Sequence, residues 1–171
     1  MPALTGDAAE AFARRFEVGS LCNDEVAASA EIEAPRELVW KVLSDFSTYP
    51  QWNPFTPNIG GELAVGRPVV LDVRFAGKKP KKQTEWVNQV VPGERICWGI
   101  RYGSRKLLAA NRLQELTELG PERTRYFTVD RFSGLLVPVV FALYGRLIQV
   151  GFDGVATGLK RHCEALYRGQ G

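Results

Sequence analysis

The sequence predicts an α+β fold, a curved antiparallel β-sheet wrapped around a long C-terminal α-helix. Three observations carry this. Phe141, Tyr144, Ile148, Phe152, Val155, Leu159, Cys163 and Leu166 recur at steps of three and four and draw one apolar stripe along a helix. Between Pro68 and Phe132, segments of alternating apolar and polar residues are separated by turn residues at Gly77-Lys78-Lys79-Pro80, Pro92-Gly93 and Gly120-Pro121. An alternating segment and a short helical pattern precede them, so the order is strand, helices, antiparallel strands, long helix.

In chain order, Ala9, Phe12, Ala13 and Phe16 have helical spacing behind an N-capping Asp7. This helix belongs outside the main domain or on a partner subunit, which raises a homodimer. Residues 1–24 therefore read as a helical extension and linker, and residues 25–171 as one domain. Glu25–Glu33 alternates, with Val26, Ala28, Ala30 and Ile32 on one face. Pro35 opens a helix with Glu37 in its first turn, and Val39, Trp40, Leu43 and Phe46 form its buried side. Ser44-Asp45 and Tyr49-Pro50 stop it. Gln51–Asn58, with two X-Pro bonds, reads as extended and stiff.

Pro68–Phe75 places Val69, Leu71, Val73 and Phe75 on one face. Trp86, Asn88 and Val90 share a face of Lys82–Val91. Ile96, Trp98, Ile100 and Tyr102 point inward from Arg95–Tyr102. Leu107–Leu119 has an ambiguous phase. Arg123–Phe132 puts Thr124, Tyr126, Thr128, Asp130 and Phe132 together. Pro138 suits the first turn of the terminal helix, which extends roughly 45 Å at ~1.5 Å per residue. Gly145, Gly151, Gly154 and Gly158 lie inside it, each costing about 1 kcal/mol against alanine. Either they allow close helix–sheet approach or a kink, or they leave room for a ligand and for movement.

Composition narrows the function. A formal charge of +3 is too small to argue for nucleic acid as the main partner. Cys22, Cys97 and Cys163 are odd in number and widely spaced, which argues against a disulfide framework and for a reducing cytoplasm. One histidine, His162, with no cysteine or carboxylate cluster, argues against a zinc site. The first residues lack a basic segment followed by an apolar core, so no signal peptide is expected. The run Leu135–Leu143 is well short of the ~18 apolar residues of a membrane span.

Ile32-Glu33-Ala34-Pro35-Arg36-Glu37-Leu38-Val39-Trp40-Lys41-Val42-Leu43-Ser44-Asp45-Phe46, followed by Tyr49-Pro50-Gln51-Trp52-Asn53-Pro54, resembles the opening signature of the START-like helix-grip superfamily. That superfamily, also called SRPBCC, includes polyketide cyclases/aromatases, the birch pollen allergen group and lipid-transfer domains. Arg131-Phe132-Ser133-Gly134-Leu135-Leu136-Val137-Pro138, Gly151-Phe152 and Leu159-Lys160-Arg161-His162-Cys163-Glu164 are similar to the last strand and helix of its bacterial polyketide cyclase/dehydrase-like branch. The resemblance covers about residues 25–168 and leaves out the N-terminal helix. It implies a helix-grip fold with a cavity between sheet and terminal helix, and a scaffold shared by carriers and enzymes.

An empty apolar cavity costs about 24 cal/mol per Å3, so one of roughly 300 Å3 would cost on the order of 7 kcal/mol. A domain's whole stability is only about 5–15 kcal/mol. The space is therefore small, wet or occupied. Phe75, Trp86, Trp98, Tyr102, Tyr126 and Phe132 either fill it as core or line it around a flat apolar ligand. Phe55, Val73, Asn88, Ile100 and Thr128 complete the expected sheet-side lining, and Phe152, Val155 and Leu159 the helix side.

Arg112, Asp130 and Tyr102 are the catalytic candidates. Asp130 shares the expected concave face; Arg112 either points in and pairs with it, or is turned to water by a bulge. The lysines flanking Pro80 are either a solvated hairpin tip or a weak contact to an anionic membrane surface. The expected function is binding or transport of a hydrophobic, lipid- or polyketide-like molecule, without cofactor. The alternative is a cofactor-free cyclase/aromatase-type enzyme. The enzyme reading predicts convergent polar groups with perturbed pKa values; the carrier reading predicts an apolar lining with lysines at its mouth.

Overall fold

A computed structural model describes residues 22–104 and 106–169. The helix expected over residues 7–16 lies outside them. β1 (Asn23–Ile32) is followed by α1 (Arg36–Ser44), a 3-10 turn (Phe46–Thr48) and the single-turn α2 (Tyr49–Trp52). Then come β2 (Ile59–Gly61), β3 (Pro68–Val73), β4 (Lys81–Val91), β5 (Arg95–Tyr102), β6 (Leu108–Gly120) and β7 (Arg123–Ser133). The last element is a helix over Val137–Arg168, built from α3 (Val137–Val140), a π-helical turn (Phe141–Gly145) and α4 (Arg146–Arg168).

The strands form one antiparallel sheet in the order β1-β7-β6-β5-β4-β3-β2. Short turns join neighbours from β2 to β7, so the sheet is a meander, and β1 completes its far edge by pairing with β7. The terminal helix lies in the concave face of this helix-grip fold. Its length and composition alone would let it cross a membrane, yet Ile148, Phe152, Val155, Leu159 and Cys163 are buried in the core. Leu166, expected in the buried stripe, is exposed.

Three polar contacts fix the helix along the β1 edge. Gln149 Nε2 donates to the Ala27 carbonyl (2.8 Å), Lys160 Nζ to the Glu31 carbonyl (2.6 Å), and the Glu33 amide to Glu164 Oε1 (3.0 Å). The helix glycines serve close approach. A Cβ at Gly158 would sit 1.9 Å from the Trp52 carbonyl oxygen, and one at Gly151 would sit 2.3 Å from Phe55 Cδ2.

The segment that these glycines admit departs from the expected extended strap. Pro50 sits in the first turn of α2, where its missing N–H costs nothing. Asn53 then fixes the exit: its Oδ1 accepts from the amides of Phe55 (3.1 Å) and Thr56 (2.8 Å). This aims Phe55 at the helix, where its ring lies 5.9 Å from that of Phe152. The three-residue β2 was not expected; Ile59-Gly60-Gly61 is too short and glycine-rich to show alternation.

Candidate functional site

The first half of the terminal helix stands off the sheet and leaves a partly open hollow of about 560 Å3. Phe55, Leu71, Val73 and Phe75 form one wall; Trp98, Ile100, Ala110 and Phe132 form the sheet side. Leu136, Val140, Tyr144, Ile148 and Phe152 roof it from the helix. Aromatic edges hold the roof to the walls: Phe75 lies 5.7 Å from Tyr144, and Phe132 lies 5.2 Å from Phe141. Lys78, Lys79 and Lys81 stand at the mouth, and Lys78 Nζ lies 4.3 Å from the centre of the Tyr144 ring.

The floor is polar. Arg112 is only 5% exposed. Its Nε donates to Thr128 Oγ1 (3.3 Å), and its guanidinium lies over the Phe152 ring at 4.4 Å. These contacts leave Nη2 without a hydrogen-bond partner. Asp130 is its direct register partner across β6 and β7, and Asp130 Oδ1 is also unpartnered. Trp98 Nε1 and Thr56 Oγ1 on the same walls are unpartnered too. Buried polar atoms without partners are rare in folded proteins, because each forfeits its water for nothing.

A second carboxyl, Glu85, enters from β4. Gln83 Nε2 donates to Glu85 Oε1 (2.7 Å), and the Tyr102 hydroxyl donates to Gln83 Oε1 (3.2 Å). Burial pushes the Glu85 carboxyl up to about 7, against the pull of Gln83 and of the Arg112 charge. Asp130 is pushed up to about 8, first by burial and then by the Glu85 charge, with Arg112 opposing. Burial and the Glu85 charge also raise Tyr102. Burial thus biases both carboxyls of the floor toward their protonated forms, beside the Arg112 guanidinium. Such a set can donate to an oxygen, accept a proton and neutralise developing negative charge inside an apolar room.

The family model for polyketide cyclase / dehydrase and lipid transport matches residues 24–164. The chain belongs to this family. No curated protein matches it. Among solved structures it is similar to the Zhui aromatase/cyclase from Streptomyces sp. R1128, with 19% identity and a TM-score of 0.73 over 88% of this chain and 99% of that one. It is also similar to a START superfamily protein from Mycobacterium smegmatis: 24% identity, TM-score 0.62, 83% of this chain and 98% of that one. Norcoclaurine synthase from Thalictrum flavum shares the fold at 13% identity, with a TM-score of 0.65 over 86% of this chain and 98% of that one. Membership in the family supports a ligand-binding or cyclase role for the chain, without showing which.

Of the residues expected to line it, Phe55, Val73, Phe75, Trp98, Ile100, Tyr102, Phe132 and Phe152 do so, together with Arg112 and Asp130. Arg112 points in because β6 keeps its phase until the irregularity between Glu118 and Gly120. Trp86 and Asn88 do not line it. A bulge between Val87 and Gln89 inverts the phase of β4. Trp86 is left 42% exposed, and Asn88 Nδ2 bonds Asn111 Oδ1 (2.7 Å) beside Cys97 on the opposite face. The same bulge brings in Gln83 and Glu85, which sequence reasoning missed. Its trace is the pattern Trp86-Val87-Asn88-Gln89-Val90-Val91, where paired apolar residues flank a polar pair.

Tyr126, Thr128, Val155 and Leu159 are fully buried but lie beyond the lining. The Tyr126 hydroxyl donates to Gln114 Oε1 (2.9 Å), and Thr128 serves Arg112 from behind. His162 is half-buried, disfavoured as a cation by desolvation, and not part of the hollow. A groove of about 510 Å3 between residues 50–57 and α4 carries Arg74, Asp153 and Arg161, all exposed.

Proposed function

We propose that this chain binds a mostly apolar small molecule in the hollow and holds a carbonyl or hydroxyl oxygen of that molecule at the Arg112–Asp130 floor. The observation that carries this is the unpartnered pair of Arg112 Nη2 and Asp130 Oδ1 beneath apolar walls. A dry, sealed void of 560 Å3 would cost on the order of 13 kcal/mol, comparable to a whole domain's stability, so the hollow is wet or filled. An apolar molecule with one oxygen satisfies both its walls and its floor. The buried free thiols Cys97 and Cys163 suit a reducing cytoplasm.

The test is native mass spectrometry of the purified protein, followed by titration with a flat, carbonyl-bearing aromatic read out by quenching of buried Trp98. Arg112→Met keeps the stem and removes the donors. Binding should weaken at least tenfold for the carbonyl probe and stay level for a hydrocarbon of the same shape. Equal affinity of the wild type for both probes refutes the reading.

The raised carboxyls favour a second reading, a cofactor-free cyclase/dehydratase-like enzyme. Protonated Asp130 would donate to a substrate carbonyl, Arg112 would stabilise the enolate, and Glu85 would take up the proton from carbon. Turnover that survives Asp130→Asn and Glu85→Gln in proteins that still bind the substrate excludes it.

A further inference from the structure

The rim of the hollow is formed where three chain segments meet. The loop before β4 and the first residues of that strand bring exposed Lys78, Lys79, Lys81 and Lys82. The turn before β6 brings exposed Lys106 and Leu107. The third segment is the start of the terminal helix, tied to that turn by the Leu135 amide on the Lys106 carbonyl (2.9 Å) and the Leu136 amide on the Leu107 carbonyl (3.1 Å). Gly134 makes the junction possible: its φ is +121°, and a Cβ there would lie 2.5 Å from the Leu107 carbonyl oxygen. Leu135, Val139 and Leu143 then stand 62%, 54% and 64% exposed on the outer side of the helix. Arg146 is exposed one turn further on. Residues 73–84, 101–114 and 134–149 contain no Asp or Glu.

An apolar ridge bordered by exposed cations and free of anions has a charge complement. We propose that this rim docks on the surface of an anionic lipid bilayer, with Leu135, Val139 and Leu143 inserted at the level of the acyl boundary and the lysines on the headgroups. Apolar side chains inserted beside basic ones are how interfacial helices hold a membrane. The cations argue against a protein face. Protein interfaces are depleted in lysine and enriched in arginine and aromatic residues, whereas this rim is lysine-rich and its projecting side chains are aliphatic. Docking also brings Lys78, Lys79 and Lys81, which stand at the mouth of the hollow, onto the headgroups. The docking itself does not depend on what the hollow binds.

The test is flotation of the full chain with vesicles of phosphatidylcholine alone and with vesicles in which phosphatidylglycerol replaces about a third of it. Binding to the anionic vesicles and not to the neutral ones is expected, with release as salt is raised. Changing all four of these lysines to glutamine should lower the partition coefficient on the order of 1000-fold. The variant L135D/V139D/L143D should lower it at least tenfold. Those three side chains lie outside the lining, so its probe affinity in solution should stay at the wild-type value. Circular dichroism and the melting temperature establish that each variant is folded. Absence of vesicle binding by folded wild-type protein overturns the proposal. So does a wild-type dimer in analytical ultracentrifugation that L143D converts to monomer, because the ridge would then be covered by a second copy. Retained vesicle binding in the folded triple-aspartate variant also overturns it.

Discussion

Asp130→Asn should flatten the dependence of stability on pH. In the folded protein the Asp130 carboxyl is raised from 3.8 to about 8. Between these values the folded state binds more protons than the unfolded state. Stability is therefore complete below about pH 4 and declines as pH rises through about 8. Four units at ~1.4 kcal/mol each set a ceiling of about 6 kcal/mol. Asp130 is half-buried at the floor of an open hollow, so water relieves part of this, and a loss of about 2–3 kcal/mol is the working expectation. Asparagine keeps the shape and carries no charge at any pH. Urea unfolding at constant ionic strength, from about pH 5 to about pH 9, should show wild type losing stability and Asp130→Asn losing less than half as much. Glu85→Gln removes a negative charge that raises Asp130, so the wild-type decline should move to lower pH. His162 acts in the opposite sense, since its lowered pKa gives stability that grows as pH rises through its ordinary value. The comparison with wild type cancels it. Parallel wild-type and Asp130→Asn curves would refute the reasoning, because Asp130 would then titrate alike in both states.

Other substitutions probe the remaining geometry. Gly158→Ala drives a Cβ into the Trp52 carbonyl and should cost at least ~2 kcal/mol by urea unfolding, whereas Gly154→Ala, with its nearest contact 3.1 Å away at Pro54 Cγ, should stay within ~1 kcal/mol of wild type. Trp86→Gln should leave probe affinity within about twofold of wild type, because the side chain sits on the face away from the hollow. Cys97 and Cys163, each pushed up to about 12 by burial, should resist a soluble thiol reagent in the folded protein while exposed Cys22 reacts.

The fold was legible because its signals are redundant. The stripe from Phe141 onward, the turn residues between strands and the opening signature all point to a sheet gripping a helix. The site was legible where the two-residue period holds. Trp98 and Ile100 on β5, and Asp130 and Phe132 on β7, fall where alternation puts them. It failed on β4, where one bulged residue exchanges the faces and swaps Trp86 and Asn88 for Gln83 and Glu85. A bulge depends on the pairing of two strands, and alternation within one strand carries only a faint trace of it. The helix glycines left two readings open for a related reason: what a missing Cβ makes room for depends on a segment a hundred residues away. For Gly151 and Gly158 the answer is the chain at Trp52 and Phe55.

Those glycines also explain how one helix can both hold the fold together and roof a hollow. From Gly151 onward α4 is pressed against Phe55 and Trp52 and bound to β1 through Lys160 and Glu164, with Val155, Leu159 and Cys163 fully buried. Before Gly151 the helix is apolar on both sides: Val140, Tyr144 and Ile148 face the hollow, and Val139 and Leu143 face out. The π-helical turn at Phe141–Gly145 lies in this looser half and offsets its faces relative to α4. Stability concentrated in the second half leaves the first half free to be shaped by ligand and surface. Hydrogen exchange should divide there, with amides from Phe152 onward protected close to the global unfolding free energy and those of Val140–Arg146 exchanging through local opening. Uniform protection along Val137–Arg168 would mean that the roof is as rigid as the anchor, and a ligand would then have to enter without it moving.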